Sequence, residues 1–417
     1  MAKSGIITGL DVGSFSVKTI IAELTAEGEV NVLGTGCVES KGVRKGVVVN
    51  IDAASQAIAA SIEKAEIMAG TEAGGVIASI GGDHLLGINS KGVIGVTSRN
   101  REITETEVER VMESARSVRL PAEREIIHLV PQEYSVDDQD EVKNPVGMTG
   151  TRLEAEAHLI TGLKTAGDNL MKAVEKAGFF IEDIIAAPYA AAAAVLAGDE
   201  KELGAALIDI GGSTTTVMLF VEGAVWHTAV IPVGGMHVTN DIAMGLRLPH
   251  IAAEDVKVRY GTAMPELAAD TDIIEIPSLG DRPPRTVPKR ALAEIIAPRL
   301  EEIFRLVQKE IDKAECRELL GAGAVVTGGL AQLNGISDMA EAVLGTMPVR
   351  VGHPKGFTGM LDVTQNAGFA VAVGLVIKRL EEEVVPKAPS QRRERASAKS
   401  DSGFGRKIGD WFKEFFS

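Results

Sequence analysis

The stretch that most constrains the fold occurs twice. Near the N-terminus the chain reads "GIITGLDVGSFSVKTIIAEL", and in its middle it reads "GAALIDIGGSTTTVMLFVEG". Each copy has an apolar run, an aspartate (Asp11, Asp209), a glycine turn followed by hydroxyl residues, and a second apolar run. This is the pattern of two strands joined by a tight turn. One Asp-x-Gly would say little, because the tripeptide is common in turns. The pair, with hydroxyls after both glycines, predicts two similar α/β halves facing each other across a cleft.

A length of 417 residues agrees with two or more domains, each with its own core. With 45% hydrophobic, 24% charged and only 4% aromatic residues, the chain reads as an α/β protein rather than a disordered one. The net charge of -15 excludes a general affinity for nucleic acid, which needs a surplus of Lys and Arg. Cys37 and Cys316 form no CxxC, which fits a reducing cytoplasm, and the seven histidines lack metal-ligand spacing. Asp11 interrupts the first apolar run before it could serve as an export signal. No window of about 18 apolar residues exists to span a bilayer. The alanine-rich Ala186 to Ala197 is expected to be a buried helix.

Between the repeats, "ITETEVERVMESAR" predicts a surface helix capped by Thr104, with Glu107 completing a capping box. "NLMKAVEKAGF" predicts another helix, stopped by Gly178. Alternation from Arg152 to Ile160 predicts a strand. After the second repeat come "DIAMGLRLPHIAAEDVKVRYG", the long helical stretch "KRALAEIIAPRLEEIFRLVQKEIDKAE", and a buried strand ending in a turn, "GAVVTGGLAQLNGI". From Glu381 to Ser402 charges and prolines replace apolar residues, as in a flexible linker.

The repeats suggest phosphate chemistry. A carboxylate at a strand end followed by glycine and hydroxyls surrounds a phosphate chain with backbone N–H groups and side-chain donors. Gly13, Ser14 and Ser16 supply these in the first copy, and Gly211, Gly212, Ser213, Thr214 and Thr215 in the second. Asp11 and Asp209 would hold the hydration shell of Mg²⁺ from opposite sides, and Lys18 would offset phosphate charge. A third glycine turn, Thr327 to Gly335, has the small residues a purine and ribose need.

The three turns together resemble the actin, sugar-kinase and Hsp70 ATPase superfamily, with its ATP and Mg²⁺. By that resemblance Gly234, Gly235, Thr327, Gly328, Gly329 and Gln332 belong to the nucleotide set, and Glu254 and Lys257 would contact ribose or base. On spacing alone that last pair could equally be an exposed ion pair. The segments "VPQEYSVDDQDEVKNPVGMTGTRLEAEAHLITG" and "RPPRTVPKRALAEIIAPR" resemble the FtsA family of bacterial cell-division actin homologues. The resemblance runs from about Gly5 to Gly374 and resumes in the terminal helix.

It implies an actin-like two-lobed α/β fold. Subdomain 1A would cover 1–83, continued by 162–196 and 364–380, with 1C at 84–161. Subdomain 2A would cover 197–237 and 324–363, with 2B at 238–323. A linker at 381–402 and an amphipathic helix at 403–417 would follow. In that family 1C and 2B make polymer contacts, and 2B docks the tail of the tubulin-like FtsZ. Arg285 and Arg299 fall at positions implicated in self-association or FtsZ docking; both could also be solvated charge. Related bacterial actins orient the attacking water with a Glu before Pro. Here "AAPYAAAAAV" places Ala187 there, so at most a weak ATPase is expected, with no catalytic residue to name.

The last residues, "GFGRKIGDWFKEFFS", gather aromatics in a chain poor in them. On a helical wheel Phe404, Ile408, Trp411, Phe412, Phe415 and Phe416 fall in one arc of about 140°. From Pro386 to Ser417 eight basic residues face four acidic ones. A basic, amphipathic tail on an acidic body reads as an anchor for an anionic membrane surface, although a helix docking on its own core has the same pattern. The expectation is an ATP-binding adaptor that polymerises on the inner face of the cell membrane at the division septum, tethers FtsZ and helps recruit later division proteins. A small-molecule kinase of the same fold is the alternative; an Hsp70-like chaperone would need a substrate domain after Leu380.

Overall fold

The computed structural model describes residues 5–25, 29–278, 283–359, 363 and 366–384. Its two principal sheets are built on one plan. In the first, Ile6–Val12, Ser16–Leu24 and Val30–Glu39 form an antiparallel meander, and Val76–Ile80 and Ile181–Ala186 add parallel strands beyond Ile6–Val12. In the second, Ala205–Ile210, Thr215–Val221 and Ala224–Ile231 form the meander, and Gly323–Thr327 and Val349–Val351 add the parallel strands. Spatial order is third, second, first, fourth, fifth in both, so the sequence repeat is a repeat of topology. Phe357–Gly359 extends the first sheet at its far edge.

The turns of the two copies close alike. Gly13 N–H donates to the Ser16 carbonyl at 3.2 Å, and Gly211 N–H donates to the Thr214 carbonyl at 2.9 Å. The register pairs Asp11 with Lys18 and Asp209 with Thr216. Helices cover the sheets because the central strands are buried on both faces. In the second half, Lys289–Lys313 turns Leu292, Ile296, Leu300, Ile303, Val307 and Ile311 into the core, a spacing that keeps one stripe inside. The alanine-rich helix forms over Ala187–Val195 and is buried against Ala370–Val384. That second helix continues to Val384, so the first four residues expected in the linker are helical. The rest of the linker and the helix 403–417 lie outside the described residues.

A separate four-stranded sheet is inserted into the first half, in the order Leu86–Gly95, Arg152–Leu163, Arg124–Val136, Gln139–Val142. The helix Glu105–Arg116 lies on it, opened by the expected capping box of Thr104 and Glu107. The strand anticipated to Ile160 runs on to Leu163 and hands over to the helix Lys164–Lys176, after which Gly178 takes φ +97. This sheet rests on Ala224–Ile231, the edge strand of the second half. Asn89 Nδ2 donates to the Trp226 carbonyl at 3.2 Å and Gln132 Nε2 to the Val225 carbonyl at 2.8 Å. His158 completes the contact: Nδ1 meets Asn89 Oδ1 at 2.5 Å and Nε2 meets Thr228 Oγ1 at 3.0 Å. An amide oxygen can only accept, so Nδ1 carries the proton and the Thr228 hydroxyl donates to Nε2.

Burial, seconded by the neighbouring His227, pushes the His158 imidazole down from 6.5 to about 4. The unfolded chain takes up a proton near pH 6.5 that the folded chain refuses until about pH 4. The stabilisation from the neutral ring is therefore complete above pH 6.5 and is lost progressively down to pH 4, by roughly 3 kcal/mol. Unfolding free energies of the wild type and His158→Gln, measured from pH 7 to pH 4, are expected to diverge in slope by up to one proton. Equal slopes would contradict the neutral, buried assignment.

Candidate functional site: a cleft between two phosphate-type turns

Both turns and the glycine turn of Gly329–Gln332 open onto one cleft of about 330 Å³ between the halves. That is room for a ligand of drug or nucleotide size. The turns touch: Ser213 Oγ donates to Ser14 Oγ at 2.7 Å, and a Cβ on Gly212 would lie 2.7 Å from Phe15 Cβ. Glycine is required there because the backbones approach so closely. Ser14 Oγ also accepts the Gly46 N–H at 2.7 Å.

Asp11 is buried at the cleft floor, where Ser79 Oγ donates to its Oδ1 at 2.8 Å. Burial raises its pKa, while Lys18 and the Ser79 bond pull it down. Asp209 is pushed up to about 6, first by burial, then by the charge of Asp11, with Lys18 opposing. Two carboxylates thus converge on one cation, Lys18, whose ammonium also lies 5.8 Å from the Phe369 ring centroid. Such a floor favours a bound divalent cation, which would relieve both the desolvation and the mutual repulsion.

At the other end Lys257 Nζ donates to the Gly235 carbonyl at 3.2 Å, Thr239 Oγ1 at 2.9 Å and Glu254 Oε2 at 2.7 Å. Burial lowers its pKa and Glu254 resists. Glu254 and Lys257 are therefore neither free nor an exposed pair. They form a mostly buried latch between the helices Gly235–Gly245 and His250–Tyr260 whose surface lines the cleft.

Comparison with known proteins adds identity to this geometry. A family model described as "SHS2 domain inserted in FTSA" matches residues 82–161, and one described as "Cell division protein FtsA" matches 206–374. The cell division protein FtsA of Pseudomonas aeruginosa is 42% identical over 91% of this chain and 90% of its own. The chain belongs to the FtsA family. Its counterpart in Escherichia coli K12 is 36% identical over 99% of this chain and 97% of its own. A role in cell division comes with that membership. Among solved structures, the PilM–PilN type IV pilus biogenesis complex matches with a TM-score of 0.64 at 17% identity, covering 90% of this chain and 98% of that one. MreB5 of Spiroplasma citri bound to ADP matches at 0.53 and 14%, covering 90% and 98%. At these identities the likeness is one of fold, the two-lobed actin-like architecture, into which this chain inserts the sheet that the SHS2 family model matches.

In this FtsA-family chain the cleft gathers Asp11, Gly13, Ser14, Ser16, Lys18, Asp209, Gly211, Gly212, Ser213, Thr214, Gly235, Glu254, Lys257, Gly328, Gly329 and Gln332. Three expected members stand behind it. Thr215 is fully buried and donates to the Val233 carbonyl at 2.8 Å, so strand alternation gives the cleft Thr216 instead. Thr327 is fully buried and donates to the Gly352 carbonyl at 2.9 Å. Gly234 presses against the Gly211 backbone rather than facing the cleft. Ala187 does line it.

Ser79 and Thr239 were missed; a hydroxyl inside the apolar run "VIASIGG" was the available signal for the first. Neither Arg285 nor Arg299 is at the cleft. Arg285 donates to the Leu246 carbonyl, and Arg299 grips Asp241 through Nε at 2.7 Å and Nη2 at 3.2 Å. The membrane residues Phe404, Ile408, Trp411, Phe412, Phe415 and Phe416 lie outside the described residues.

The raised pKa of Asp209 means that its ionised form opposes folding: the cost is absent below pH 3.8 and complete above about pH 6. Asp209→Asn should therefore raise the melting temperature of the ligand-free protein at pH 7.5 by a few degrees, and the gain should vanish near pH 4. Calorimetry at the two pH values checks this; a variant less stable than wild type at pH 7.5 would contradict it.

Proposed function

We propose that this FtsA-family chain binds ATP with Mg²⁺ in the cleft and works as a nucleotide-gated adaptor at the division septum. The observation carrying this reading is the pair of Asp–Gly–hydroxyl turns that meet across the cleft with two raised carboxylates beneath them. The N–H groups and hydroxyls of Gly13, Ser14, Gly211, Gly212, Ser213 and Thr214 would hold the phosphates. Asp11 and Asp209 would hold the hydrated cation, with Lys18 between them. Gly328, Gly329 and Gln332 would take the nucleoside, against the latch of Glu254 and Lys257.

Bound Mg²⁺ would supply charge neutralisation for the phosphates. What the chain lacks beside it is a polar group at Ala187 to orient water, so turnover should be slow.

The chain's other surfaces serve attachment. Residues 84–161 and 238–323 would carry contacts between copies, with Arg285 and Arg299 on the second, where the FtsZ C-terminal tail would also dock. Residues 403–417 would lie in the inner-membrane surface through Phe404, Ile408, Trp411, Phe412, Phe415 and Phe416. Among the described residues no helix is long and apolar enough to cross a membrane. A short interfacial helix binds reversibly, so polymerisation would make the attachment lasting by multiplying it.

Pelleting with anionic liposomes, ATP-Mg²⁺ and FtsZ compares the full chain with one ending at Ser402. FtsZ is expected in the pellet only with the full chain; a full chain left in solution would remove the membrane reading. Steady-state phosphate release is expected below about 1 s⁻¹, the low end of ordinary enzymes, and fast release would remove the adaptor reading in favour of an enzyme.

A further inference from the structure

The strand Arg124–Val136 of the insertion lies along the junction of the two lobes and holds both. At its start the Arg124 guanidinium donates to the His84 carbonyl at 2.7 Å and the Thr161 carbonyl at 3.0 Å, where the insertion leaves the first lobe. His128 Nε2 accepts the Ala186 N–H at 2.9 Å, at the head of the helix that presents Ala187 to the cleft. Gln132 then reaches the second lobe through the Val225 carbonyl. Its aim comes from a bulge: Pro131 pairs with Ala157 and Glu133 with Glu156, leaving Gln132 as the extra residue. A bulge re-aims a side chain out of the alternating pattern.

The second-lobe strand that Gln132 holds is close to the cleft. Ala224–Ile231 leads into Gly234 and Gly235, where the Gly235 N–H donates to the Gly211 carbonyl at 2.9 Å and the Met236 N–H to the Gly212 carbonyl at 2.7 Å. A displacement of this edge strand is thereby passed to the second phosphate-type turn. Rotation of one lobe away from the other would separate the turns. It would also pull the strand Ala224–Ile231 off Asn89, Gln132 and His158, because the insertion is fixed to the first lobe by the His128 bond to Ala186 and by the strand Arg152–Leu163 running directly into the helix Lys164–Lys176.

We propose that the insertion splints the cleft: the lobes open only when Asn89, Gln132 and His158 release the edge strand Ala224–Ile231. Release of those contacts would then speed exchange of the cleft's ligand. The functional readout rests on the nucleotide reading above; the mechanical claim does not.

The test uses the full chain with Asn89→Ala/Gln132→Ala. Its control is Arg110→Ala, which removes a 2.9 Å bond to Thr97 within the insertion and touches no residue of the second lobe contact. Amide hydrogen exchange is followed without nucleotide, and dissociation of a fluorescent N-methylanthraniloyl ATP is followed with Mg²⁺. The double variant should exchange faster at residues 211–216 and 224–231 and release the analogue about tenfold faster, the scale set by losing two neutral hydrogen bonds. The control should match wild type. Wild-type exchange at 211–216 in the double variant would overturn the splint, as would equal acceleration by the control. If wild type fails to bind the analogue at all, the nucleotide reading falls and the exchange data still decide the splint.

Discussion

Everything that the cleft does depends on how closely two helices cross behind it. Ala187–Val195 and Ala370–Val384 meet where Gly374 lies on the Ala190 carbonyl, and a Cβ at Gly374 would collide with that backbone. The buried cluster around the crossing takes in Ile7 and Ile20 from the first sheet and Leu207 and Met218 from the second. The lobes therefore share a core at their base and part only towards the turns. Small residues on both helices make the crossing tight, and tightness keeps the two aspartates facing one another.

Against that rigid base the cleft floor is electrostatically strained. Asp11 and Asp209 are held in a poorly solvated place, with the charge of Lys18 acting on both. Nothing in folding alone asks for this, since a buried carboxylate above its ordinary pKa costs stability. The arrangement makes sense for a site completed by a cation, and it locates where binding energy would be gained.

The sequence repeat was enough to anticipate two halves, the turns and the shared topology, because strand, glycine and aspartate patterns are local signals. The capping box at Thr104 was legible for the same reason. Side-chain direction within "GGSTTT" was not, because four successive hydroxyls offer no period-two contrast, and the choice between Thr215 and Thr216 is made by the pairing of Asp209 with Thr216. Ser79 and Thr239 reach their partners across the fold, a relation that spacing does not encode. The seating of the insertion on Ala224–Ile231 depends on one bulge and on amide side chains that look like surface polarity in the sequence. Helical residues up to Val384 read as linker because three glutamates in a row suggest solvent and do not mark a helix end.

The covering of Ala224–Ile231 also bears on how copies of this chain can join. An exposed edge strand is a template for pairing with another chain. In the second sheet one edge lies under the insertion and the other, Val349–Val351, is three residues long. Neither offers a ladder of any length. Any contact made at these two edges would consequently be side chain to side chain, the kind that separates without unravelling a sheet.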